Sequence, residues 1–178
     1  MDGHNRQSHR LSGYDYTQPG AYFVTICTHA RVTLFGEIIC DAMRLNEYGH
    51  IAQACWQAIP GHFPLSKLDA FAVMPNHIHA ILWITDHGQG ATGDALPLSD
   101  FPKGTTPNSL GAMIQNYKSV TTRKINHVRQ MPATPLWQHD YYDRIIRNEY
   151  ALRHIRDYIV SNPLAWALDE ENPQRGRG

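Results

Sequence analysis

The chain has 178 residues, 42% of them apolar, enough to bury the core of one compact domain without outside staples. Its 16 basic and 16 acidic side chains cancel, so total charge points to neither a basic nucleic-acid arm nor an acidic tail. Cys27, Cys40 and Cys55 are odd in number and widely spaced, which argues against a disulfide framework or a CxxC metal knuckle, and no stretch approaches the roughly 20 apolar residues of a membrane span.

Met1 to Arg10 is polar and lacks the apolar core of a signal peptide, so a soluble, intracellular protein is expected. Tyr22 to Thr28 is rich in β-branched and aromatic residues and reads as a first strand. A hairpin is expected around Gly36 to Leu45. Asn46 suits the N-cap of a helix running to about Ile59, where Pro60-Gly61 should stop it. Leu68 to Met74 and His77 to Ile84 read as two more strands, with Pro75-Asn76 as the turn between them. Residues 86–107 hold four glycines and three prolines among small polar residues and read as a flexible surface loop. A helix over about Ser109 to Val128 should present Leu110, Ile114, Tyr117 and Thr121 on one face. A short element is expected over Asp140 to Ile146. Asn148 then caps a last helix that Pro163 should end, and a loose polar tail should follow over residues 169–178. This order suggests one α+β domain, a mainly antiparallel sheet with helices on one face.

The charge is unevenly spread. Residues 103–159 carry 9 basic and 4 acidic side chains, whereas residues 60–102 carry 1 and 4. Lys118, Arg123 and Lys124, extended by Arg144, Arg147, Arg153 and Arg156, can line a path for phosphates. The same residues equally suit solvated helix faces.

Two stretches carry chemistry. On a strand, residues two apart share a face, so His77 and His79 project together while Ile78, Ala80 and Leu82 turn into the core. Two neighbouring imidazoles can hold one metal ion and leave positions open for a substrate. A chance pair among 11 histidines gives the same pattern. Tyr158 and Asn162 lie four apart, one turn along a common helical face. The phenol is a nucleophile only if activated, and the amide is a neutral oxygen ligand suited to a hard divalent ion. Ordinary packing and an ordinary C-cap fit that spacing too. Tyr117, Tyr141 and Tyr142 compete as functional tyrosines, with packing or base stacking as their other roles.

Together these stretches resemble the REP-associated tyrosine transposases, within the superfamily of single-tyrosine HUH endonucleases. The marks are Met74-Pro75-Asn76-His77-Ile78-His79, Tyr117-Lys118-Ser119, Leu136-Trp137-Gln138 with Tyr141-Tyr142-Asp143, and Tyr158-Ile159-Val160-Ser161-Asn162-Pro163. The resemblance implies a ferredoxin-like sandwich with the histidines on a central strand. It implies His77, His79 and Asn162 as ligands of Mg2+ or Mn2+, and Tyr158 as the nucleophile. The implied partner is single-stranded or hairpin DNA of the repetitive extragenic palindrome type, cut and rejoined through a 5′-phosphotyrosine bond in a bacterial cytoplasm. It leans towards a monomer, a dimer being the alternative. Two other readings of the residues stand beside it: a hairpin-DNA-binding regulator that does not cut, and a metal hydrolase of another substrate.

Overall fold

The computed structural model describes residues 13–86, 106–169 and 171–173. Residues 87–105 of the loop read over 86–107, the first twelve residues and the end of the tail lie outside them. Among the described residues six strands and four α-helices follow in chain order: β1 (Gly20–Cys27), β2 (Gly36–Ile39), β3 (Ala42–Leu45), α1 (Glu47–Gln57), α2 (Ile59–His62), β4 (Ser66–Met74), β5 (His77–Ile84), α3 (Leu110–Val128), β6 (Tyr142–Ile146) and α4 (Glu149–Ala165).

Strands β4, β5, β1 and β6 form one antiparallel sheet in that order, and β2 and β3 form a separate hairpin. With α1 and α3 as the two crossovers, this is the ferredoxin-like split βαβ arrangement. The hairpin turns on Cys40 and Asp41, both at positive φ (50° and 60°), the backbone geometry of a two-residue turn matched to strand twist. Gly49 in α1 is required by a close approach: a Cβ there would meet the Phe35 carbonyl oxygen at 2.3 Å.

Alternation along the strands gives the sheet two unlike faces. Tyr22, Val24 and Ile26 of β1 and Ile78, Ala80 and Leu82 of β5 join the main core with Trp56 of α1 and Ile114 and Tyr117 of α3. Trp56 stacks on Phe71 of β4 at 5.3 Å and meets the Tyr117 ring edge-on at 5.2 Å. The other face carries a smaller cluster, Ala21, Phe23, Ile81, Ile146, Leu152 and Ile159, where α4 crosses the sheet. Each long helix starts on a side-chain cap: Asn46 accepts from the Gly49 N–H, Ser109 from Ala112 and Asn148 from Ala151.

Two stop signals act differently from expectation. Pro60 does not end helical structure but opens α2, because a proline in a first turn gives up an N–H that has no helical partner anyway. Pro163 lies inside α4, which continues to Ala165 and then tightens into a 3-10 turn over Trp166–Leu168. Asn162 is therefore an interior helical residue and not a frayed end. The tail's first residues also differ from the loose segment expected. Glu171 is 4% exposed and pairs with Arg31 at 3.1 Å, and its carbonyl accepts from the Asn76 amide at 2.7 Å. A buried ion pair and a backbone acceptor hold that stretch against the sheet.

Candidate metal and tyrosine site

The site lies on the α4 face, at the start of β5. His77 and His79 alternate with core residues and pair across the sheet with Cys27 and Thr25 of β1. Both imidazoles are buried, yet they turn towards polar groups and each other: their Nε2 atoms stand 3.0 Å apart.

Neighbours dictate the ring orientations. The Asn76 Nδ2 group donates to the Arg31 carbonyl at 3.1 Å and the Glu171 carbonyl at 2.7 Å. Both are pure acceptors, which turns the Asn76 carbonyl oxygen towards His77 Nδ1, 2.9 Å away. His77 Nδ1–H thus donates to Asn76, and the lone pair of its Nε2 faces inward. His79 Nδ1 lies 2.8 Å from the Thr25 hydroxyl, which can accept its proton and leave the second Nε2 lone pair facing the same point. Burial holds the His77 pKa down to about 3, and the Arg31 charge adds to this. Burial, then the neighbouring His77, pushes His79 well below the usual histidine range, against a raising influence of Asp169. Both rings are neutral near pH 7, the form that binds metal.

The tyrosine helix closes over the pair. The Tyr158 hydroxyl is 3.2 Å from His79 Nε2, and the two rings meet edge-on at 5.1 Å. Tyr158 is nevertheless 45% exposed, so a solvent-borne group can reach its oxygen. Two turns later Trp166 approaches the His77 ring at 6.0 Å. Asn162 sits midway between them on the same helical stripe. It is 1% exposed, and its Oδ1 is a buried oxygen with no hydrogen-bond partner among the described residues. Such an atom is costly unless something fills the space before it.

Two imidazole nitrogens and an amide oxygen form a donor set able to hold a divalent ion. Two cis ligands of an octahedral ion, bound at about 2.0–2.1 Å, lie about 3.0 Å apart, the spacing of the two Nε2 atoms here. A carboxylate joins them that the sequence did not single out. Donor atoms of Asp169, His77 and His79 all fall within 4.8 Å of one another. Asp169 went unnoticed because it lies 90 residues beyond His79, in a stretch that reads as tail. Asn76 was visible in the motif but reads there only as a turn residue.

The structure divides the seven candidate DNA-binding cations. Lys118 is largely buried, donates to the Gln138 and His139 carbonyls at 2.6 and 2.7 Å, and has its pKa lowered to about 8 by that burial. Arg123 lines a cleft of about 860 Å³ between α3 and the 133–141 segment, well apart from Tyr158. Lys124 reaches the Cys55 thiol. Arg153 pairs with Glu149 one turn away. Arg156 makes a two-pronged contact with Asp69 of β4, at 2.9 and 2.6 Å, and the Trp83 indole donates to the same carboxylate at 2.9 Å. That contact fastens α4 to the sheet two residues before Tyr158. Arg144 and Arg147 remain exposed at the β6 edge.

Comparison with known proteins sets this geometry among relatives. No known family profile matches the chain. An uncharacterised protein of Haemophilus influenzae is 36% identical over 169 residues, covering 94% of this chain and 93% of its own. A second protein of that organism, provisionally described as a REP-associated tyrosine transposase, is 24% identical over 86% of this chain and 77% of its own. Among solved structures, a REP-associated tyrosine transposase bound to a REP hairpin superposes with a TM-score of 0.55 at 20% identity. It covers 86% of this chain and 73% of that one, a likeness of fold. No helix among the described residues is long and apolar enough to cross a membrane.

Proposed function

We propose that this chain, which belongs to the family of REP-associated tyrosine transposases, is a metal-dependent endonuclease that cuts and rejoins single-stranded or hairpin DNA. One observation carries the reading: the Tyr158 hydroxyl lies 3.2 Å from His79 Nε2, beside a second imidazole nitrogen only 3.0 Å further on.

His77, His79 and Asn162 would hold Mg2+ or Mn2+, with Asp169 as a further oxygen donor. When bound, the ion supplies positive charge to a non-bridging phosphate oxygen as the transition state becomes crowded. The chain's own residues do the rest. Asn76 and Thr25 hold the two rings in the tautomers that aim both Nε2 lone pairs inward. The Asp69–Arg156 contact holds the helix so that the phenol overhangs the site. Tyr158 oxygen forms a bond to the backbone phosphorus as the bond to the 3′ oxygen breaks. The phenol proton passes to solvent, and the departing oxygen takes up one proton to become a 3′ hydroxyl. The reverse attack by a 3′ hydroxyl reseals the strand. One ester replaces another at each step, so no nucleotide cofactor is needed, in keeping with the absence of a Walker-type phosphate loop from the sequence. All these groups come from one chain, so this reading of the site calls on no residue of a second copy.

The test is a hairpin oligonucleotide with a labelled flank, incubated with Mn2+ and resolved under denaturing conditions. A protein–DNA adduct should form with the wild type and be missing with Tyr158→Phe. Retention of the adduct in that variant would reject Tyr158 as nucleophile. Binding without any adduct, across Mg2+ and Mn2+ and several flanks, would favour a regulator that does not cut.

A further inference from the structure

We infer that the outer edge of the sheet, strand β6 and the turn into α4, seats the single-stranded DNA next to the cleaved phosphate. Tyr142 stacks an unpaired base there, and Arg144 and Arg147 hold its backbone phosphates. The inference rests on the proposed DNA-cleaving function and adds the route of the strand.

Register places the three side chains. Among the described residues β6 is an edge strand paired with β1 alone, and Tyr142 lies opposite Thr25 while Arg144 lies opposite Phe23. Tyr142 and Arg144 therefore share the face that bears the histidines and α4. Phe23 is a common floor for both halves of this surface. Its ring stacks on His79 at 5.5 Å and meets Tyr158 edge-on at 6.1 Å and Tyr142 edge-on at 6.2 Å. A nucleotide whose phosphate stands at the Tyr158 oxygen has its neighbour within reach of the Tyr142 ring, which is 37% exposed.

Charge supports the same route. The arginines of α4 are engaged, Arg153 with Glu149 and Arg156 with Asp69. Arg144 and Arg147 are exposed and form no hydrogen bond or ion pair with another described residue. With Tyr16, Tyr142, Asn148 and the buried carboxylate of Asp143 they line a cleft of about 420 Å³, two guanidinium groups to one acid, within the range of clefts that hold small ligands, about 300–1,000 Å³. The start of α4 opens beside this cleft, and the positive end of a 17-residue helix favours an anion. An exposed aromatic ring beside exposed guanidinium groups is the combination that binds single strands: a duplex hides its base faces and has no use for the ring.

The experiment measures binding of a fluorescein-labelled twelve-residue oligothymidylate to the full chain by anisotropy, over a range of NaCl and in EDTA so that no cleavage intrudes. Arg144→Gln with Arg147→Gln should weaken binding and reduce the slope of log affinity against log salt by about 1.4, since each single-strand phosphate contact contributes about 0.7. Tyr142→Ala should weaken binding about tenfold at unchanged salt slope. Arg153→Gln should behave as wild type. An oligonucleotide carrying 5-iodouracil should photo-crosslink to Tyr142. Wild-type affinity and slope in the β6 variants, or a crosslink only to the α3 cleft, would overturn the inference. So would loss of binding in the arginine variant with none in Tyr142→Ala, the pattern of phosphate contact alone. Tyr158→Phe should bind and crosslink normally, so a wrong nucleophile shows as a surviving adduct and a wrong strand route as unaltered binding.

Discussion

The two faces of the sheet are built from the same strands yet obey different rules. On the α1 and α3 face, β5 contributes Ile78, Ala80 and Leu82, all fully buried against Trp56, Ile114 and Tyr117. On the α4 face the intervening residues of the same strand are His77, His79 and Ile81, under a helix that buries only a small apolar cluster. Apolar burial on the first face stabilises the domain, at about 1.5–3 kcal/mol per large side chain. On the second face that contribution is given up so that two neutral imidazoles, an unpartnered amide oxygen and a phenol can meet. Stability and chemistry are separated by a single step along the strand, because alternate side chains never share an environment.

The contrast is broken most directly at the phenol. Tyr158→Phe should abolish adduct formation, a loss of more than about 10⁴-fold, with a melting temperature close to wild type. The residue is 45% exposed, so little packing is lost. A variant that melted far lower would show that the chemistry face is structural as well.

The converse is Ile78→Ala, between the two histidines but on the opposite face. It should destabilise the domain by about 2–5 kcal/mol in urea unfolding, with adduct formation per folded molecule changed little. Equal loss of rate and stability would join the two faces that the alternation separates.

A finer probe is the Asp69–Arg156 contact. The Arg156 hydrogen bond is the chief influence holding the Asp69 carboxyl down to about 2, from a usual 3.8, despite partial burial. The unfolded chain binds this proton first as pH falls, so the contact's stabilisation is complete above about pH 4 and is lost as pH drops through about 2. Acid unfolding followed by tryptophan fluorescence should show that dependence in the wild type and less of it in Asp69→Asn. At neutral pH that substitution should cost about 1 kcal/mol, reduced because Arg156 is 40% exposed. Adduct formation should fall beyond what the stability change explains, and exchanging the two residues should restore part of it. The smallest effect is expected at the helix cap: Asn148→Ala removes the bond to the Ala151 N–H and should cost about 1 kcal/mol or less, read by thermal melting.

Local signals made much of the fold legible. His77 and His79 could be placed on one face because strand periodicity is short-range, and the caps at Asn46 and Asn148 act within one helical turn. Tyr158 and Asn162 could be set on one stripe for the same reason. Proline was the weaker guide. Pro60 and Pro163 were read as stops, whereas the first sits in an opening turn and the second within the closing turns of a helix.

What the residue order determined by itself was therefore which side chains share a face, since that depends on neighbours two to four positions away. Which faces meet was decided by the tertiary structure. Arg156 finds Asp69 across 87 positions, Asn76 finds the Glu171 carbonyl across 95, and Asp169 arrives beside the histidines from a stretch that looks like a tail. No local pattern encodes such pairings. They form because folding the sheet and laying α4 across it bring distant polar groups into a space from which water is excluded, where each group must find a partner or pay for lacking one.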